Sequence, residues 1–196
     1  MKPALFPAFI KLAGRACLVV GAGSVAESKI SSLLDSGAQI TVVAPAAVKS
    51  VQDLASARKI RLVPRKFAPA DLNRIFLVVA ATSDPQVNRA VFHEARERGV
   101  LCNSVDDPPH CDFYFPAVVR RGPLQVAIST SGESPALAQR IRREIEESLD
   151  ASCGDWVEEI GEIRREIMAT FPPSEERKRL LHHLAHSEPL ASEPQP

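Results

Sequence analysis

The sequence predicts a doubly wound α/β sheet, followed by a small strand-and-helix module and a helical appendage. Three observations carry that reading. Between Ala16 and Val105, short apolar runs rich in β-branched residues alternate with helical patterns, as parallel sheets built from βαβ units require. The run Cys17-Leu18-Val19-Val20 leads directly into Gly21-Ala22-Gly23-Ser24-Val25-Ala26, a Gly-x-Gly-x-x-Ala turn set between a strand and a helix. After Pro108-Pro109 the alternation stops, and two strand-like runs meet at Arg121-Gly122-Pro123.

Each element follows from its local pattern. A strand over 16–20 precedes a helix over 25–36 that Gly37 closes, and a β-branched strand over 39–43 precedes a helix over 48–58. A short strand over 60–63 is followed by a polar excursion around 69–73. Residues 75–81 are apolar throughout, as a strand covered on both faces must be. A helix over 85–98 ends at Gly99, and a fifth strand spans 100–105. The expected strand order is 3-2-1-4-5, which puts a ligand crevice at the carboxyl ends of strands one and four. Beyond it, strands over 112–121 and 123–130 form a hairpin, and Ser134 caps a helix that Pro135 opens and that runs to about residue 149. Further helices span 155–170 and 174–186. The expected domains are a Rossmann-type nucleotide domain over 1–113, a dimerisation module over 114–149, a helical domain over 150–187 and a disordered tail over 188–196. A hairpin with no larger sheet to join is marginal alone, so a two-fold homodimer is expected.

Composition narrows the partners. The 196 residues carry 24 Lys and Arg against 24 Asp and Glu, so no global field favours nucleic acid or an anionic membrane. The 4 cysteines form no C-x-x-C pair, and Cys17 and Cys102 fall in expected core strands, which suits reduced thiols. Lys11 and Arg15 interrupt the apolar run that begins at Leu5, so it reads as an approach to the first strand and not as a signal peptide. A cytoplasmic protein without a membrane span is the expectation.

The crevice residues suggest chemistry. Gly21 permits the tight bend, Gly23 lets backbone approach a pyrophosphate, and Ala26 brings helix close to strand, with Ser24 and Val25 at the helix N-terminus. Thr82 and Ser83 end strand four at the same edge. After strand two the chain has Ala44-Pro45-Ala46, with neither an acid for a ribose hydroxyl nor an adjacent arginine for a 2′-phosphate, so these residues leave NAD and NADP equally open. Asn103-Ser104-Val105-Asp106-Asp107 sets two carboxylates at the end of strand five, fit for a general base or for capping a turn. His110-Cys111-Asp112 resembles a ligand cluster, but adjacent residues rarely converge on one ion, and no metal site is expected. The pair His182 and His186 reads as a polar helix face. Ser129-Thr130-Ser131-Gly132-Glu133-Ser134 gathers hydroxyls at a helix N-terminus, which suits carboxylates or phosphate, with Arg120 and Arg121 near in sequence. Arg140, Arg142 and Arg143 read as a solvated face paired with glutamates.

Taken in order, these stretches resemble the precorrin-2 dehydrogenase/sirohydrochlorin ferrochelatase family, which includes the N-terminal half of sirohaem synthase. The matching motifs are residues 19–26 with Lys29, residues 80–84 with Asn88, residues 103–106, Cys111-Asp112-Phe113 with Pro116-Ala117, and residues 129–135. The resemblance implies NAD-dependent oxidation of precorrin-2 to sirohydrochlorin by a homodimer and, in some members, insertion of Fe²⁺ or Co²⁺ as a second substrate. It implies Asp106 as the catalytic carboxylate and contacts to NAD at Ser24, Val25, Pro45 and Ala46. Family members usually carry Arg where this chain has Ser28. The methyltransferase domain of some relatives has no counterpart here, so this chain is not expected to make precorrin-2. Precorrin-2 carries many carboxylates, and Asn103, Arg120, Arg121, Ser129, Thr130, Ser131 and Ser134 are the candidates to bind it. The reading from another class is an NAD-sensing homodimeric module without tetrapyrrole chemistry. It accounts for the glycine turn but not for a carboxylate at the crevice.

Overall fold

A computed structural model describes residues 4–186, so the expected tail lies outside the described residues. The chain forms two compact units, one through Tyr114 and one from Phe115 onward. In the first unit, five parallel strands take the order β3-β2-β1-β4-β5, as the alternating pattern predicts. They are β1 (Ala16–Val20), β2 (Gln39–Val43), β3 (Arg61–Val63), β4 (Leu77–Ala80) and β5 (Leu101–Ser104). The central strands β1 and β4 have helices on both faces, and Leu18, Val19, Val78 and Val79 are fully buried.

Helices α1 (Ser24–Asp35), α2 (Lys49–Ser56) and α3 (Pro85–Glu97) cover the sheet. Helix α1 buries Ala26, Ile30 and Leu33, an i, i+4, i+7 stripe that forms its docking face. Helix α3 starts where Asp84 accepts a bond from Gln86 N at 2.9 Å and Pro85 takes the first position. Its buried face carries Val91, Phe92 and Ala95 into the same core as β4 and β5. The polar excursion after β3 is a 3-10 turn over Pro69–Leu72 that buries Leu72. Burial pushes the Cys17 thiol up to about 11 and the Cys102 thiol to about 12, so both behave as small core hydrophobes.

The second unit holds an antiparallel pair, β6 (Ala117–Arg121) and β7 (Leu124–Ile128), then α4 (Pro135–Ser148), α5 (Cys153–Thr170) and α6 (Glu175–His186). The strand expected from residue 112 starts only at Ala117. Asp112 is tied back to β5 instead, through its N–H on Cys102 O at 2.8 Å and its Oδ2 on Cys102 N at 2.9 Å. Cys111 makes an isolated antiparallel bridge to Asn103. The helical stretch expected as a separate domain belongs to the same unit as the hairpin. The hairpin turn at Gly122 (φ +52) lies so close to α5 that a Cβ on Gly154 would sit 2.8 Å from Arg121 C.

That contact predicts opposite outcomes for two glycines of α5. Gly154→Ala is expected to destabilise the protein by about 1–3 kcal/mol, because backbone on the far side cannot yield. Gly161→Ala meets only the flexible Arg165 Nη1 at 3.4 Å and is expected to be neutral or to stabilise by up to about 1 kcal/mol. Urea denaturation of the two variants measures the difference, and equal stabilities would contradict the close packing.

Candidate functional site

The strand ends are joined by hydrogen bonds that continue one residue past each strand. Ala44 N donates to Val63 O (3.3 Å), Gly21 N to Val43 O (3.0 Å), Ala81 N to Val20 O (2.8 Å) and Val105 N to Ala80 O (2.9 Å). Every loop at the carboxyl edge therefore leaves from a fixed point.

Gly21 has φ +110, and a Cβ there would lie 2.3 Å from Ala81 O, so no side chain fits. At Gly23 the opposite holds, with no atom within 4 Å of the point a Cβ would occupy. Helix α1 starts immediately beyond, and its N-cap, Gly23, offers no side-chain bond. Helices α3 and α4 are capped by Asp84 and Ser134, whereas the first-turn N–H groups of α1 are left to an external acceptor. Open space beside uncapped donors is the requirement for a phosphate.

A cavity of about 650 Å³ lies over this turn. Of the residues expected to hold a nucleotide, Gly21, Gly23, Pro45, Ala46, Thr82 and Ser83 line it. Ser24 and Val25 are exposed in the first turn of α1 without lining the cavity, and Ala26 is fully buried, packing α1 onto the sheet. Thr82 is braced by Asn88, whose Oδ1 accepts from Thr82 Oγ1 at 2.7 Å and from Thr82 N at 3.1 Å. Lys66 and Phe67 also line the cavity. Sequence reasoning missed them because they arrive from β3, and only the pairing of Val43 with Val63 brings that loop beside Ala44.

At the far side of the same edge, Asp106 follows β5 in a left-handed conformation, φ +59. Such a conformation costs a non-glycine residue roughly 1–2 kcal/mol and persists only where neighbours hold it. Asp107 N donates to Ser104 O (3.2 Å), His110 N to Asp107 O (2.9 Å), and Cys111 Sγ to Ser104 O (3.1 Å). The Asp107 side chain lies 2.9 Å from His110 Nδ1 and 3.6 Å from Arg89 Nε. His110, then Arg89, holds the Asp107 carboxyl below the usual carboxylate range. This pairing is present at neutral pH and is lost as acid titrates Asp107 through that lowered value. The two neighbouring carboxylates thus differ in kind. Asp107 secures the turn, whereas Asp106 is exposed, and burial holds the ammonium of Lys29 in α1 below its ordinary value while the Asp106 charge opposes that shift.

Asn103 does not reach the open edge. It is buried, and its Nδ2 donates to Phe113 O at 2.8 Å, so it braces the turn that carries Asp106. The side chains of His110, Cys111 and Asp112 each have a separate partner, and among the described residues no group of three His, Cys, Asp or Glu converges.

In the second unit, Ser129 Oγ accepts from Ser131 N (3.1 Å), Thr130 Oγ1 from Ser134 N (3.1 Å) and Ser134 Oγ from Leu137 N (3.2 Å). Each hydroxyl oxygen orders the loop and keeps its O–H as a donor. Ser131 sits at φ +53 beside them, and Arg120 is exposed on β6. Arg121 is not a rim residue. Its guanidinium donates to Leu149 O (3.1 Å) and Glu146 O (2.8 Å), closing the C-terminus of α4. Arg140 pairs with Glu144 on an exposed face of α4, as expected, whereas Arg142, paired with Glu146, is half-buried.

Residues 8–117 match the model of a putative NAD(P)-binding family, and residues 121–148 match that of the central region of sirohaem biosynthesis proteins. The siroheme synthase of Neisseria meningitidis serogroup C is 42% identical over 174 residues, which is 89% of this chain and 36% of that protein. Siroheme synthase 1 of Serratia proteamaculans is 41% identical over 173 residues, 88% of this chain and again 36% of the relative. The chain therefore spans little more than a third of these curated relatives. The solved structure titled SirC, precorrin-2 dehydrogenase, is 30% identical with a TM-score of 0.77, over 92% of this chain and 89% of that one.

The glycine geometry separates folding from binding. Gly23→Ala is expected to fold normally and to bind a dinucleotide at least about tenfold more weakly by calorimetry. Gly21→Ala is expected to lose more than about 2 kcal/mol of stability, because its Cβ overlaps a carbonyl. Undiminished dinucleotide affinity in folded Gly23→Ala would contradict the assignment of the turn.

Proposed function

The chain belongs to the precorrin-2 dehydrogenase family, and from that premise we propose that it oxidises precorrin-2 to sirohydrochlorin with NAD⁺. The observation that carries the reading is an exposed carboxylate, Asp106, held in a left-handed turn at the same sheet edge as an uncapped glycine turn. The cavity fits a dinucleotide, since Gly21 and Gly23 leave room for its phosphates and the first turn of α1 supplies donors. NAD⁺, when bound, supplies the hydride acceptor for this reaction.

The overall oxidation removes two electrons and two hydrogens from the macrocycle, one as hydride and one as a proton. Asp106 accepts the proton, and its carboxylate is available for that because Asp107 takes over the structural pairing with His110 and Arg89. Burial holds the Lys29 ammonium below its ordinary value, and the charge of Asp106 opposes that shift, so the two groups interact electrostatically. Asn88 and Asn103 position the loops on either side, through Thr82 and Phe113. In the second unit, Arg120 and the O–H groups of Ser129, Thr130, Ser131 and Ser134 are assigned to the carboxylates of the substrate.

The hairpin β6–β7 is a two-stranded sheet with both edges open, and on that basis we assign it to the interface of a homodimer. The free cysteines, two of them deep in the core, accord with a cytoplasmic setting.

Asp106→Asn is expected to lower kcat for precorrin-2 oxidation by at least about 100-fold and to leave NAD⁺ affinity within about twofold. Cofactor reduction followed by absorbance, with calorimetry for binding, gives both readings. Turnover retained in that variant would remove Asp106 as the base. Light scattering is expected to return twice the 21.3 kDa chain mass, and a monomer at working concentrations would contradict the dimer.

A further inference from the structure

Two charged residues line the cavity, and they stand on opposite flanks. Asp84 follows β4 and is engaged in capping α3 through Gln86 N. Lys66 follows β3, whose Val63 pairs with Val43 of β2, so it shares a flank with Ala44, Pro45 and Ala46. In sheets of this topology the flank after strand two receives the adenosine ribose, and the charge found there selects for or against a 2′-phosphate. An acid would hold the 2′-hydroxyl and repel a phosphate. This chain has Ala44-Pro45-Ala46 in its place and a lysine beside it. Resting on the dinucleotide reading of the cavity, we propose that it also accepts the 2′-phosphorylated dinucleotide NADP⁺, with Lys66 as the counter-charge of the phosphate.

The neighbouring Arg65 is committed elsewhere. Its guanidinium forks onto Asp71, with Nη1–Oδ2 at 2.8 Å and Nη2–Oδ1 at 2.5 Å. Arg65 Nη1 also donates to Lys66 O at 2.9 Å, and Asp71 Oδ2 accepts from Ala68 N at 2.9 Å. The loop under Lys66 is thereby braced on both sides. Among the described residues no carboxylate lies within ion-pair distance of the Lys66 ammonium, so an incoming phosphate displaces no partner. Phe67, half-buried on the same wall, offers apolar surface to an adenine ring. Lys66 is itself exposed, so its contribution is that of a screened charge-assisted bond, about tenfold in affinity and not more.

Calorimetric titration of the whole chain with NAD⁺, NADP⁺ and 2′,5′-ADP tests the assignment. The wild type is expected to bind NADP⁺ within about tenfold of NAD⁺. Lys66→Ala is expected to weaken NADP⁺ and 2′,5′-ADP about tenfold and to leave NAD⁺ within about twofold. Lys66→Arg should restore NADP⁺ binding, and added salt should weaken NADP⁺ more than NAD⁺. Wild-type NADP⁺ binding more than about tenfold weaker than NAD⁺, or a Lys66→Ala variant that loses both equally or neither, overturns the inference and leaves the NAD⁺ reading intact. Failure of the wild type to bind any of the three overturns both.

Discussion

The backbone contact between Gly21 and Ala81 is the constraint on which the rest of the molecule depends. These residues directly follow β1 and β4, the strands between which the sheet order reverses, and they approach until no Cβ fits between them. The approach lets Ala81 N reach Val20 O at 2.8 Å and Gly21 N reach Val43 O at 3.0 Å. From those points α1 starts over open space, Thr82 turns onto Asn88, and one strand further Val105 bonds Ala80 before Asp106. A larger residue at position 21 would separate the two strand ends, and the nucleotide wall and the carboxylate turn would lose their common origin.

Two different kinds of group stand at that edge. The first-turn backbone N–H groups of α1, left without a side-chain cap, carry no net charge and need no compensating cation. The adjacent acids Asp106 and Asp107 are held in different ways. Asp107 is held ionised by His110 and Arg89 and fixes the turn. Asp106, in a left-handed conformation within that same turn, is exposed, and its charge acts on Lys29. In a chain of zero net charge, local placement of this kind stands in for a general field.

Much of this was legible in the sequence, for reasons that are local. The strand order follows from alternating runs, and the glycine turn and Asp106 are visible because each sits at a strand end, where a few consecutive residues define the geometry. Asn103, Arg121 and Lys66 were not legible in the same way. Asn103 stands in a recognisable motif, but only the return of residues 111–113 along β5 shows that its amide points inward to Phe113 O. Arg121 reads as a free cation until α4 brings the carbonyls of Glu146 and Leu149 to it from more than twenty residues away. Lys66 depends on the register of β2 with β3. Residues 112–116 alternate as a strand would, but Asp112 side-chain bonding to β5 wins over that pattern.

The most direct test of the central claim is a single-turnover experiment with excess NAD⁺ and one equivalent of precorrin-2 per chain. One equivalent of cofactor reduced and one proton released for each macrocycle converted to sirohydrochlorin, at matching rates, is the expected result. Dinucleotide and macrocycle bound together without oxidation, or macrocycle oxidised without cofactor reduction, would contradict it.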